Sequence, residues 1–156
     1  MIFDTLTSGY DYVVVGDNIG VTAGSQLRFV ARNSGTDITS GSINLYFSAG
    51  HRLNTSSGAA SVNEQSGTYA TVADFDIFGT AYAGSLKIEM INPARSANTQ
   101  QAYSFQVFGM SDGSNPVHET RLGIVSAGGA VTGLKLFASA SGTITGTFNL
   151  YKIARS

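Results

Sequence analysis

The acidic residues closest to one another are Asp74 and Asp76, which are separated by a single residue in an alternating segment. On a β-strand, residues two apart leave the same face, so this pair could act as acid and base or bind a cation. The apolar Phe75 and Ile77 would then occupy the opposite face, as in a half-solvated strand or a subunit contact. We therefore interpret Asp74 and Asp76 as candidate interface residues, and we predict no catalytic site, no metal site and no cofactor.

The two histidines are the next candidates, because imidazole can act as a base, bind a metal or change its charge near neutral pH. His51 precedes Arg52 and His118 precedes Glu119, and we expect both histidines at the edges of surface loops. A serine hydrolase of the α/β type places its nucleophile in a G-x-S-x-G turn between a strand and a helix, and the one match to these letters, Gly109–Gly113, lies in a segment without a helical pattern. A pH-sensitive contact is the one function that we keep as a hypothesis for these histidines. We predict that the protein is not an enzyme.

Two predicted turns present oxygen atoms that could surround a cation. The first is Asn33–Thr36, and the second is Ser111–Pro116, in which Asp112 is the only carboxylate. A calcium loop supplies more carboxylates at alternating positions, so we interpret the second segment as an Asx-type turn with Gly113 at positive φ. Cation binding at either turn stays an open alternative.

The chain carries little charge, since 12% of its 156 residues are charged against about 25% in an average protein. Lys and Arg total 9, Asp and Glu total 10, and no basic cluster occurs, which argues against nucleic acid as a partner. No apolar run reaches the length of about 18 residues that a membrane span needs, and the N-terminus lacks a signal-peptide pattern. We expect no membrane insertion, synthesis in a cytoplasm, and a weakly charged surface that favours an oligomer.

Short segments in which apolar and polar residues alternate run through the sequence and predict β-strands. Nine are present: Tyr10–Val15, Leu27–Asn33, Ile43–Ala49, Val72–Gly79, Ser85–Ile91, Ala102–Gly109, Thr120–Val125, Leu134–Ser139 and Thr145–Ile153. This pattern predicts an all-β fold, an antiparallel two-sheet sandwich of about nine strands and of the jelly-roll type. An immunoglobulin-like sandwich is the alternative. We expect a single domain over residues 1–156, with residues 1–9 as an extended N-terminal arm.

The same alternation identifies the side chains that point into the core. The inward sets are Tyr12 and Val14; Leu27, Phe29 and Ala31; Ile43, Leu45 and Phe47; Phe75 and Ile77; Leu86, Ile88 and Met90; Tyr103, Phe105 and Val107; Phe148 and Leu150. Continued alternation along the last strand would bury Lys152 and expose Ile153, so either a β-bulge shifts the register near Tyr151 or the strand pairing stops there, and we favour the bulge.

Three segments resemble proteins of tailed-bacteriophage particles. The first is GYDYVVVGDNIGVTAGSQLRFVARNSGTDITSG, whose matching residues are Leu27, Asn33, Ser34, Gly35, Thr36, Ser40 and Gly41. The second is GSLKIEMINPARSANTQQAYSFQVFG, and the third is VTGLKLFASASGTITGTFNLYKI, which is similar to the family's closing hairpin except for Lys152 in place of a glycine. The resemblance implies a β-sandwich of the virion, tail- or fibre-associated or head-decorating, and it supplies no catalytic residues.

We therefore expect a structural component of a bacteriophage virion that assembles on the particle surface as a homotrimer, in contact with itself and with other virion proteins. A receptor- or glycan-binding module of a tail appendage is the alternative, and an assembled glycan-cleaving enzyme ranks last. The polar segment 50–71 is predicted to be a long loop that serves function or contacts a partner. Arg52 and Tyr69 in this segment, together with Tyr82, are the remaining candidate interface residues.

Overall fold

The alternating segments form two antiparallel sheets that pack face to face as a β-sandwich in the computed structural model. The structure describes residues 1–22, 25, 27–38, 42–54, 59–64, 67–70, 73–75, 84–95, 101–112, 115–125, 130–139 and 141–156. Every regular element in these ranges is a β-strand, which confirms the predicted all-β sandwich. Among the same residues, no helix has the length and apolarity to cross a membrane.

The described strands are β1 (Ile2–Phe3), β2 (Tyr10–Val21), β3 (Leu27–Asn33), β4 (Thr36–Asp37), β5 (Ser42–Asn54), β6 (Ala59–Glu64), β7 (Gly67–Ala70), β8 (Ala73–Phe75), β9 (Gly84–Met90), β10 (Gln101–Asp112), β11 (Asn115–Val125), β12 (Gly133–Ala138) and β13 (Ile144–Ala154). The smaller sheet has the order β1-β12-β3-β4, and β8 also pairs with β3. The larger sheet has the order β13-β2-β9-β10-β11-β5-β6, and β7 also pairs with β5.

The core lies between the two sheets and is built by the alternate residues of the central strands. Phe29 on the smaller sheet is fully buried, and its ring centroid lies 5.2 Å from that of Phe105 and 5.7 Å from that of Tyr103 on the larger sheet. Edge-to-face and tilted ring pairs at these distances are favourable. Phe29 therefore joins the two sheets through direct side-chain contact.

All nine predicted strands overlap a strand of the structure, and the predicted bounds of β3 are the observed ones. The predicted inward residues of β2, β3, β9 and β10 are buried, while Phe148 and Leu150 on β13 pack partly buried against the core. The inward sets predicted at 43–47 and 75–77 lie outside the residues whose side chains are described. β1, β4, β6 and β7 were not predicted, because they are short or polar.

The segment 50–71 is not a loop where the structure describes it, which corrects the prediction. β5 continues to Asn54, and β6 and β7 return along it, so that Asn54 lies opposite Ala59 and Ser42 lies opposite Ala70. Polar residues are compatible with this arrangement because backbone groups make the hydrogen bonds of the strand pairing. The polar composition was therefore wrongly interpreted as a loop signal.

The irregularity of β13 is at Gly146, so the bulge predicted near Tyr151 is wrong. The register with β2 shifts between Thr145 and Thr147, and Gly146 has a φ of 118°. A Cβ atom at this position would lie 2.8 Å from the carbonyl oxygen of Asp17. The positive φ and the close backbone approach both require glycine here.

Beyond this bulge the pairing of β13 with β2 is regular as far as Ala154, opposite Tyr10. Lys152 occupies an inward position of the alternation and is nevertheless exposed, so no bulge is needed to keep its charge in solvent. Its ammonium nitrogen lies 3.7 Å from the centroid of the Tyr10 ring, a cation–π contact. Ile153 is exposed, as the alternation predicts.

Residues 1–6 run along the edge of the smaller sheet. Phe3 lies opposite Leu134 in the pairing of β1 with β12, and the Met1 amino group donates a hydrogen bond of 2.9 Å to the carbonyl oxygen of Leu136. Leu6 is buried in the core. The N-terminal segment is thus docked on the sandwich by backbone pairing and by an apolar anchor.

Candidate functional site

The structure does not gather the predicted interface residues into one site. Arg52 lies on β5 opposite Val117, and Tyr69 lies on β7 opposite Ile43. Because these positions are at opposite ends of β5, they are about 30 Å apart at roughly 3.4 Å per residue. The remaining candidates are not on this strand pair: Asp74 is on the smaller sheet, and Asp76 and Tyr82 lie outside the described residues.

Asp74 is placed directly opposite Arg28 in the pairing of β8 with β3. Opposite charges at facing positions of neighbouring strands stabilise the pairing. The predicted pairing of Asp74 with Asp76 stays a prediction, since only Asp74 is described.

The two histidines lie within strands and not at loop edges, which corrects that prediction. His51 is in β5 and His118 is in β11, and the register of these strands makes the two positions direct neighbours. His118 is exposed and stacks on Phe108 of β10, with ring centroids 4.4 Å apart and planes inclined by 8°. Sequence reasoning missed this proximity because it depends on how two separate hairpins are aligned.

A charged cluster joins the docked N-terminal segment to the smaller sheet. The Arg32 guanidinium donates from Nε to the Asp4 carboxylate at 2.8 Å and also donates to the Asp37 carboxylate and the Gly35 carbonyl oxygen. Lys135 donates to the second oxygen of Asp37 at 2.8 Å. Chiefly through this bond, Lys135 lowers the pKa of the Asp37 carboxyl.

The turn Asn33–Thr36, at which cation binding was left open, lies beside this cluster. Ser34 and Gly35 have φ values of 48° and 80°, as the tight turn between β3 and β4 requires. The turn carbonyl of Gly35 accepts from Arg32, so a cationic group of the protein itself occupies this position. Among the described residues, no group of three or more His, Cys, Asp or Glu side chains is placed to hold a metal ion.

The second candidate turn, 111–116, is part of a β-hairpin. Asp112 lies opposite Asn115 at the end of the pairing between β10 and β11, where the register shifts. The predicted positive φ of Gly113 lies outside the described residues. The hairpin explains the turn composition without a bound ion, because Asp, Gly, Ser and Asn are common turn residues.

The outer surface of the larger sheet carries a patch of exposed and half-buried apolar side chains. We call Val13, Val15, Tyr151 and Ile153 the outer patch. Tyr151 lies opposite Val13, and the side chains of Tyr151 and Ile153 are 53% and 49% exposed. The sequence signal was the run of three valines in β2, since a strand with only one buried face normally alternates with polar residues.

The outer patch is at the side of the larger sheet where the strand order ends. β13 is the terminal strand and pairs only with β2 among the described strands. Next to the patch, Lys87 and Glu89 on β9 form an exposed ion pair of 2.6 Å, and Arg155 pairs with Asp11 at 3.1 Å. The surface thus combines an apolar centre with a charged rim, as protein interfaces do.

Two buried polar side chains of β10 point into the core. Gln101 and Tyr103 are almost fully buried, and within the described part of the chain the side-chain amide of Gln101 and the hydroxyl of Tyr103 find no hydrogen-bond partner. Burial raises the pKa of the Tyr103 hydroxyl, so it stays protonated and cannot serve as a base at neutral pH. The burial of these polar groups lowers the stability of the core locally, and they supply no nucleophile.

No family model matches the sequence, and no curated protein and no solved structure matches it either.

Proposed function

We propose that the protein is a non-enzymatic structural component of a bacteriophage virion, made in the host cytoplasm, which assembles on the particle surface as a homotrimer and in contact with other virion proteins. The resemblance of its sequence to proteins of tailed-phage particles supports the setting. We also propose that the strands of the sandwich are connected in the order of a jelly roll.

The outer patch is the observation that carries the assembly part of this proposal. Tyr151 and Ile153 each leave about half of their side-chain surface to solvent, beside the half-buried Val13 and Val15. Aromatic side chains are enriched at the centres of protein interfaces, and burial of such surface is favourable by about 25 cal/mol per Å². Covering this patch with another protein chain would remove the two exposed large apolar side chains of β13 from water.

The terminal strand β13 adds a second means of association. Its eleven residues include no proline, and Lys152 is its only charged residue. Natural proteins usually protect such an edge with charges, prolines or bulges, and here the bulge at Gly146 affects only the start of the strand. A partner strand could therefore pair with the remainder of β13 through backbone hydrogen bonds.

A glycan- or receptor-binding module is the second candidate. The exposed rings of Tyr151 and Phe108 favour it, because sugars stack on exposed aromatic faces. These two rings lie on different strands of the larger sheet, whereas Tyr151 and its apolar neighbours form a continuous group. Protein–protein assembly therefore accounts for more of this surface.

Co-sedimentation tests the proposed function. An antibody against the recombinant chain is applied to density-gradient fractions of a lysate in which phage particles form and the chain is produced. We expect the chain in the fractions of intact particles, retained after a high-salt wash. Detection only among free soluble proteins would overturn the virion assignment, and binding of the pure chain to whole bacteria would support the glycan-binding candidate instead.

A further inference from the structure

The two polar side chains that β10 buries in the core lie next to each other. Gln101 and Tyr103 are 1% and 2% exposed, and residues two apart on a strand leave the same face. In the described ranges, neither polar atom of the Gln101 amide meets a hydrogen-bonding group, and the Tyr103 hydroxyl meets none either. The two side chains therefore form one unsatisfied polar region of the core.

Tyr12 shows how the same core satisfies a buried tyrosine hydroxyl. Tyr12 is 1% exposed, and its hydroxyl oxygen accepts a hydrogen bond of 2.8 Å from the Thr7 backbone amide and lies 3.0 Å from the Thr7 hydroxyl. Nearly all buried polar groups of native proteins have a partner, either a protein group or an ordered water. We therefore expect Gln101 and Tyr103 to have one as well.

The two groups define the chemistry of this partner. The Gln101 amide offers N–H donors and a carbonyl acceptor, and the Tyr103 hydroxyl can donate and accept. Burial raises the pKa of the Tyr103 hydroxyl, so the group keeps its proton and is neutral. A neutral molecule that both donates and accepts fits these groups, whereas an ion would gain no opposite charge from either of them. Water has this chemistry, and a chain of 156 residues holds about six buried waters at the average of about one per 27 residues.

The strand next to β10 adds no side chain beside Tyr103. Gly123 of β11 lies directly opposite Tyr103, and facing residues of an antiparallel pair lie on the same face of the sheet. A glycine at this inward position contributes no side-chain volume to the core. The Tyr103 ring itself is held by the rings of Phe29 and Phe105, with centroids 5.7 Å and 6.2 Å away. The hydroxyl is therefore fixed inside the core, next to a position that β11 does not fill.

We propose that Gln101 and Tyr103 form an internal water site, in which one or two ordered water molecules link the side-chain amide to the hydroxyl. A buried water needs at least two polar partners, and these two side chains supply them from neighbouring inward positions of β10. The bound water joins two otherwise unsatisfied groups into one hydrogen-bonded network where β10 begins. The site is independent of the proposed virion function, because it follows from burial and hydrogen-bonding chemistry alone.

High-resolution crystallography of the full-length chain tests the site directly. We expect an ordered water within about 2.7–3.2 Å of the Tyr103 hydroxyl oxygen. The same water, or a second one bonded to it, should lie at a similar distance from a polar atom of the Gln101 amide. A region without water, a direct hydrogen bond between the two side chains, or a protein group in place of the water would overturn the site.

A stability measurement tests the site in solution. Tyr103→Phe removes the hydroxyl and keeps the ring, so we expect the folding equilibrium constant, measured by urea denaturation, to fall by about two- to tenfold, as for the loss of an ordinary hydrogen bond. Tyr12→Phe is the matched control, because it removes a buried hydroxyl whose partner is Thr7, and its effect should be of similar size. An unchanged or higher constant for Tyr103→Phe, the result of removing an unsatisfied buried group, would overturn the water site.

Discussion

Replacement of Phe29 by alanine is expected to destabilise the sandwich strongly, because this ring joins the two sheets. Phe29 has no exposed surface, and its ring contacts those of Phe105 and Tyr103 across the core. Phe→Ala substitutions in cores cost about 3–5 kcal/mol, and each lost ring pair contributes about 0.5–1.5 kcal/mol. We therefore expect a loss of about 4–5 kcal/mol in the free energy of unfolding.

Phe108 provides a matched control, since the same substitution there removes a ring that is 47% exposed and on the other face of the larger sheet. Phe108→Ala should cost less than about 1 kcal/mol, in line with surface substitutions that leave no cavity. If Phe29→Ala does not fold, Phe29→Leu keeps most of the volume and should cost about 1–1.5 kcal/mol.

Urea denaturation followed by circular dichroism gives these values, and thermal melting should show a fall in Tm of about 10–15 °C for Phe29→Ala. Equal losses for Phe29→Ala and Phe108→Ala would refute the packing of the smaller sheet on the larger one at this position.

Two further substitutions test local features. Gly146→Ala should lower the free energy of unfolding, measured by urea denaturation, by about 1–3 kcal/mol. The φ of 118° is unfavourable for alanine, and the alanine Cβ would meet the Asp17 carbonyl oxygen. An unchanged free energy of unfolding would contradict the bulge. Asp37→Asn should destabilise the protein at pH 7 by more than the exposed-pair variant Glu89→Gln. The pKa of Asp37 is lowered in the folded state, so the stability that its carboxylate contributes is fully present above the unfolded pKa of about 3.9 and is lost as the pH falls through the folded pKa. Urea denaturation at pH 6 and pH 3 should therefore show a smaller difference in unfolding free energy between Asp37→Asn and the natural chain at pH 3. A difference that stays constant would contradict this prediction.

The strands were predictable from sequence because one face of each is packed against the other sheet. On β9, the buried Leu86, Ile88 and Met90 alternate with the half-buried polar residues Ser85, Lys87 and Glu89, and this two-residue period is the direct consequence of a buried face. The unpredicted β6 and β7 lack such a pattern. Their pairing is made by the backbone, which leaves little trace in the choice of side chains.

The bulge of β13 shows a second limit of prediction from the sequence. Alternation correctly gives Tyr151 and Ile153 as exposed, but it cannot show that Lys152 stays solvated above the ring of Tyr10. The bulge follows instead from the backbone contact between Gly146 and β2. A long amphipathic side chain at a strand end therefore gave a false signal of a register change.

Candidate sites were less predictable than strands because they depend on pairing between distant segments. His51 and His118 become neighbours only through the register of β5 with β11. Arg52 lies near one end of β5 and Tyr69, on β7, lies opposite the other end of β5, although both were assigned to one loop. The outer patch could be partly foreseen, since Val13 and Val15 flank the inward Val14. No sequence pattern, however, places Tyr151 directly opposite Val13.

The most direct test of assembly through the outer patch is the mass of the purified protein in solution by multi-angle light scattering. The account predicts three times the chain mass of 16.2 kDa for the natural chain and for Asn149→Ser, a polar exchange on the same strand. It predicts one chain mass for the folded double variant Tyr151→Ser/Ile153→Ser. A natural chain that is monomeric at high concentration, or a double variant that keeps the trimer mass, would contradict the proposed role of the outer patch.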